Sequence, residues 1–179
     1  MPVLVFILFV LVVLMIVVGR TVRIVQQSTV GVVERLGQFM RIQEAGLTIL
    51  IPFLDSMRIV DKKEQVMPLP SQPVITKDNV TMNIDAVIYF QVTDPVKATY
   101  EIRDLISAQE QLALTTIRNV VGEMALDETL SSRDAVNAKL QQVLDDATHK
   151  WGLKVNRVEL KDIHPPRDIE EAMQKQMRA

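Results

Sequence analysis

No cysteine occurs among the 179 residues. That absence removes disulfides, thiolate catalysis and cysteine-held zinc together, and it fits a reducing compartment. Histidine is nearly missing as well: His149 and His164 are the only two, and they do not have the spacing of a metal-ligand pair. Neither charge sign dominates, with 20 Lys and Arg against 22 Asp and Glu. A nucleic-acid surface needs a basic excess to displace counterions, so that class of partner is excluded. There is no Gly-rich phosphate loop and no nucleophile elbow. The acidic pairs Asp145-Asp146 and Glu170-Glu171 fall on predicted helices, where adjacent positions do not face each other, so they read as solvated surface. The sequence therefore offers no catalytic residue, no cofactor-binding residue and no metal ligand. The expectation is a protein that is not an enzyme and carries no cofactor.

Charge is also missing from Met1 to Gly19, and Val3 to Val18 is an unbroken apolar run. Nineteen uncharged residues in a helix reach about 28 Å, close to the roughly 30 Å hydrocarbon core of a bilayer. A helix is the only way for a lone segment to satisfy its backbone in lipid. No Lys or Arg precedes the run and no small-residue cleavage site follows it, which sets it apart from a signal peptide. Residues 1–20 are thus expected to form a transmembrane anchor. Arg20 and Arg23 flank only its C-terminal side, so the positive-inside rule places the remaining chain on the cytoplasmic side of a cell membrane crossed once.

From Val22 to Leu36 the chain is β-branched, with Ser28 as a break and Gly37 as an end, and reads as one or two strands. The stretch from Gly46 to Leu54 is nearly continuous apolar sequence closed by Asp55. Two readings stay open for it: a buried strand, or a segment that dips into the bilayer surface through Leu47, Ile49, Leu50, Ile51, Pro52 and Phe53. Pro52 argues against a central strand because it has no N–H for the ladder. Met67 to Pro73 holds Pro68, Pro70 and Pro73 and reads as an extended edge or crossing segment. Lys77-Asp78-Asn79 is turn chemistry. After it Val80, Met82, Ile84, Ala86, Ile88, Phe90 and Val92 alternate with mostly polar partners through Thr93, which predicts one long strand with a core face and a wet face. Asp94-Pro95 ends it.

Beyond Pro95 the period becomes helical. Leu112, Ile117, Val120, Val121 and Met124 share one helix face. Ser131-Ser132-Arg133-Asp134 signals an N-terminus, and Val136, Leu140, Val143, Leu144 and Ala147 form the stripe that follows, up to Gly152. Leu153 to Ile163 returns to strand character, with a parity slip between Val155 and Val158 that predicts a bulge. Pro166 suits a first helical position. Ile169, Met173 and Met177 then begin a stripe that suits a helix–helix seam for oligomerisation, and the chain is expected to stop inside a longer helix.

These segments in this order resemble the SPFH or band 7 family, the stomatin–prohibitin–flotillin group, and within it the bacterial stomatin-like (paraslipin) branch. The likeness is carried by residues 27–37 (QSTVGVVERLG), by Gly46-Leu47 with Ile51-Pro52-Phe53, and by residues 74–80 and 85–92. It continues through Ile117-Arg118, Gly122-Glu123-Met124, Leu126-Asp127, Leu130-Ser131, Trp151-Gly152, and residues 157–163 before Pro165-Pro166. Gln26 departs from the proline common there. The resemblance implies an α+β architecture: a transmembrane helix, an SPFH domain of mainly antiparallel sheet with packed helices over 21–165, and the start of a long C-terminal helix over 166–179. A division of the domain into two lobes, about 21–94 and 95–165, is expected. The resemblance further implies a homo-oligomeric ring or cage, contact with membrane lipid, and a scaffold role in membrane microdomains. A membrane-bound protease is among the implied partners, which gives the alternative reading of a regulatory subunit.

Overall fold

The computed structural model describes residues 2–164. It divides into two compact units, Met1–Lys63 and Glu64–Ala179. The expected seam Ile169, Met173 and Met177 lies outside the described residues, as does the start proposed for its helix at Pro166.

The first unit begins with helix α1 (Pro2–Thr21). Its described side chains, residues 3–19, are exposed on every side. The expected anchor over residues 1–20 is corrected here: among the described residues no helix is long and apolar enough to cross a membrane. Counting uncharged residues overstated the reach. The unbroken apolar side chains span residues 3–18, which at about 1.5 Å each is roughly 24 Å against a core of about 30 Å. The transmembrane element of the expected architecture, the single-pass cell-membrane localisation and the cytoplasmic orientation drawn from Arg20 and Arg23 fall with it.

After α1 come β1 (Val22–Val25), β2 (Thr29–Arg35), β3 (Gln38–Gln43), β4 (Gly46–Ile49) and β5 (Asp55–Asp61). They form a two-stranded ribbon, β1-β4, and a three-stranded sheet in the order β3-β2-β5, all antiparallel. The break expected at Ser28 is there, with φ at 66° and Thr29 N–H donating to the Gln26 carbonyl. Leu36 and Gly37 take φ of 51° and 83°. Two successive left-handed residues make the tight reversal whose twist suits a hairpin, and it joins β2 to β3. Val30, Val32 and Val33 of β2 are buried at the centre of this unit. Glu34 is buried beside them, and Arg58 reaches it at 3.2 Å.

The second unit is built on an antiparallel sheet of β6 (Gln65–Ile75), β7 (Thr81–Val92) and β8 (Leu153–His164), with β7 in the middle. The alternation read from the sequence is realised: Met82, Ile84, Ala86, Ile88, Phe90 and Val92 are all buried. The expected lobe boundary near residue 94 falls inside this unit, because β7 pairs along its length with β8 from the far side of that boundary. The bulge expected in β8 lies at Asn156, where Tyr89 faces Arg157 and Phe90 faces Val155; a second falls at Lys161.

Between β7 and β8 run α2 (Pro95–Tyr100), α3 (Leu105–Gly122), α4 (Leu126–Ser131) and α5 (Arg133–Thr148). Asp94 starts α2 by accepting from Val96 and Lys97 N–H, with Pro95 in the first turn where a missing N–H costs nothing. Asp104 starts α3 in the same way through Ser107. Val136, Leu140, Leu144 and Thr148 form the buried stripe of α5, while Val143 is exposed. The stripe follows a four-residue step, so Thr148 takes the place expected for Ala147. The 76–79 turn reaches across the unit. Asp78 accepts from Leu126 N–H at the head of α4, and Lys77 N–H donates to the Met124 carbonyl.

Both edges of this sheet are closed. Pro68, Pro70 and Pro73 take three donors out of β6. On the opposite edge, α5 presents Asn137, Gln141 and Asp145 at four-residue spacing, so the three lie on one helix face. Asn137 Oδ1 accepts from Leu160 N–H, Gln141 Nε2 donates to the Val155 carbonyl, and Asp145 Oδ1 accepts from Val155 N–H. Side chains thus replace the neighbour strand that β8 lacks.

Candidate functional site

Outside α1, part of the exposed apolar surface of the first unit lies where the sequence was ambiguous. In the β1-β4 ribbon Val22 stands opposite Ile49 and Ile24 opposite Leu47. Directly opposed residues share a face of an antiparallel pair. All four are exposed, Ile24 at 72% and Leu47 at 67%, so this ribbon face is apolar and bare. Sequence reasoning singled out Leu47 and Ile49 but not Val22 and Ile24, since cross-strand pairing leaves no local signal.

Of the remaining expected lipid-contact residues, Leu50 turns inward and is 6% exposed. Thr48 also points inward, so residues 47–50 alternate out and in. Ile51 is exposed and Pro52 half-buried. The turn carries Phe53 at its tip, 92% exposed with φ at 71°. A bulky side chain in the left-handed region is uncommon and costs about 1–2 kcal/mol, so the surrounding turn must enforce it. The enforcement is visible. Asp55 N–H donates to the Ile51 carbonyl, and Ile51 N–H donates back to Asp55 Oδ2. Arg35 grips the same carboxylate with Nε at 2.7 Å and Nη2 at 3.2 Å.

That grip has a consequence in acid. The Arg35 hydrogen bonds, then the Ile51 amide, hold the Asp55 carboxyl below its ordinary value, at about 2. A depressed folded pKa contributes stability above the unfolded pKa and loses it as pH falls through the folded one. The melting temperature of the chain should therefore drop between about pH 4 and pH 2. Asp55→Asn should lower it at neutral pH and flatten that acid slope. An unchanged slope in the variant would show that the clamp does not set it.

Among the described residues no group of three or more His, Asp or Glu side chains is placed to hold a metal ion. His149 lies in the 3₁₀ turn His149–Trp151. Asp145 is engaged with the backbone of β8, and Asp146 is exposed beside it, so the two do not converge.

Two antiparallel-sheet units, the second carrying helices between its strands, make an α+β architecture. The chain belongs to the SPFH domain / Band 7 family, whose sequence model matches residues 23–179. It is 51% identical over 177 residues to an uncharacterized protein of Mycobacterium tuberculosis, covering 98% of this chain and 46% of that one. An uncharacterized protein of Methanothermobacter thermautotrophicus is 46% identical over 172 residues, covering 96% of this chain and 54% of its own length. A stomatin homolog of Pyrococcus horikoshii is 42% identical over 161 residues, covering 90% of this chain and 60% of its own length. The chain thus spans about half the length of the curated relatives it matches.

Proposed function

We propose that the protein is a non-catalytic, homo-oligomeric scaffold that works against a lipid surface and organises membrane proteins there. The observation that carries this reading is the bare apolar face of the first unit: Val22, Ile24, Leu47 and Ile49 on one side of the ribbon, with Phe53 at the neighbouring turn. Contiguous exposed apolar side chains of this kind mark an interaction surface. Membership of a family with a stomatin homolog among its members gives the reading its direction.

Light scattering of the natural-length protein in mild detergent tests assembly, and affinity capture from the same extract tests its company. Masses of many subunits with no stoichiometric partner are expected. A monomeric mass at micromolar concentration would overturn the scaffold. A protease recovered in stoichiometric amount would replace it with the regulatory-subunit reading.

A further inference from the structure

Arg23 differs from the other arginines described in its unit. Arg35 grips Asp55, Arg58 reaches Glu34, and Arg41 donates to Thr48 Oγ1 and the Ile49 carbonyl. The Arg23 side chain makes no hydrogen bond or ion pair among the described residues, although its backbone pairs with Thr48 in the ribbon. It lines a cavity of about 310 Å³ together with Ile24, Leu50, Pro52 and Asp55. A second hollow of about 180 Å³ shares Arg23, Pro52 and Asp55 and adds Phe53. Among the described residues Asp55 is the one carboxylate in either lining, and Arg35 and the Ile51 amide already occupy it. Among the described residues, what is left where the two hollows meet is a guanidinium without a side-chain partner, beside a projecting aromatic ring in the second.

The charge of the unit agrees in sign. Residues 1–63 hold seven Lys and Arg against four Asp and Glu, while residues 64–179 hold thirteen against eighteen. The near-neutral chain therefore joins a basic unit, which bears the apolar face, to an acidic one. A basic unit with exposed apolar side chains complements an anionic membrane surface.

We propose that this cavity receives the phosphate of an anionic phospholipid, with Arg23 as the charge-assisted donor and Phe53 seated in the apolar layer beside it. The guanidinium fork suits phosphate oxygens, and an aromatic side chain at headgroup depth is favourable. This deepens the lipid-surface reading above and rests on it.

The test compares binding of the 179-residue chain to vesicles of phosphatidylcholine alone and to vesicles rich in phosphatidylserine. The wild-type chain should prefer the anionic vesicles. Arg23→Gln should cut that preference about fivefold, as the loss of one basic contact at a charged leaflet predicts. Binding to neutral vesicles, where the choline ammonium offsets the phosphate charge, should fall by a smaller factor. Lys62→Gln removes the same charge from an exposed residue of the same unit away from the cavity, and it should keep most of the preference. Phe53→Ser should weaken binding to both vesicle types. Equal losses for Arg23→Gln and Lys62→Gln would reduce the effect to diffuse attraction and overturn the site. An Arg23-dependent rise in melting temperature with millimolar inorganic phosphate, without vesicles, would overturn the lipid assignment in favour of a soluble anion. A wild-type chain that binds both vesicle types equally sinks the phosphate site alone. One that binds neither sinks the lipid-surface reading as well.

Discussion

Gly152→Ala is expected to destabilise the second unit by about 3 kcal/mol, from roughly 1–2 for a left-handed backbone and 1–3 for overpacking. Gly152 takes φ of 71° at the end of the 3₁₀ turn that follows α5. A Cβ there would lie 2.4 Å from the Asp94 carbonyl oxygen and 2.9 Å from Asp94 Cβ. That oxygen is backbone, held where β7 passes into α2, so it has little freedom to retreat. Gly152 also ties the strands together, since its carbonyl accepts from both Thr93 and Asp94 N–H. Denaturant midpoints measure the loss. Gly152→Asn separates the two causes, because asparagine tolerates the left-handed region but keeps the Cβ. Asparagine should recover only a minor part of the loss. A change below about 1 kcal/mol for alanine would mean that the Asp94 carbonyl can move after all.

Stripping the edge of β8 should cost at least as much. The triple variant Asn137→Ala, Gln141→Ala, Asp145→Ala leaves Leu160 N–H and both polar groups of Val155 without their side-chain partners. Each unsatisfied group costs about 1–3 kcal/mol when water cannot replace the partner. These groups are part-buried and neighbours do not add fully, so about 3–5 kcal/mol is expected for the three. A second effect should accompany it. An unpaired strand edge is a template for another chain, so the variant should aggregate at concentrations the parent tolerates. Urea melts read the first effect and light scattering the second. A triple variant with the parent's midpoint and particle mass would show that the three side chains do not seal the edge.

How much of this was legible depended on the range of the interaction involved. The core face of β7 could be read from period-two spacing alone, because residues two apart share a side. The edge character of β6 followed from its prolines, and the turn at residues 77–79 from its own chemistry. The two-unit boundary was not legible. It is set by pairing of β7 with β8, as in Ile88 with Val158, a partner that no local pattern announces. Asp78 reaching Leu126 is the same kind of contact, 48 residues apart. At the candidate site, Leu47 to Leu50 alternates cleanly, but the buried partner is a threonine and an apolar-run reading could not sort inside from outside. Val22 and Ile24 became part of the face only through register with β4. The spanning capacity of α1 was overestimated for a different reason: absence of charge was counted where apolar reach was needed.

The central position of β7 also bears on how the chain is made. β6 is available to β7 as soon as β7 emerges from the ribosome, but the opposite edge waits for β8. The nearest paired residues, Val92 and Leu153, are separated by the whole helical segment. Translation of that interval takes about 3–12 s at ordinary elongation rates. For that time a long alternating strand carries one unpaired edge and an apolar face not yet covered by α3 and α5. The nascent chain thus passes through a window in which a chaperone, or a neighbouring copy on the same message, competes directly with its own C-terminal strand.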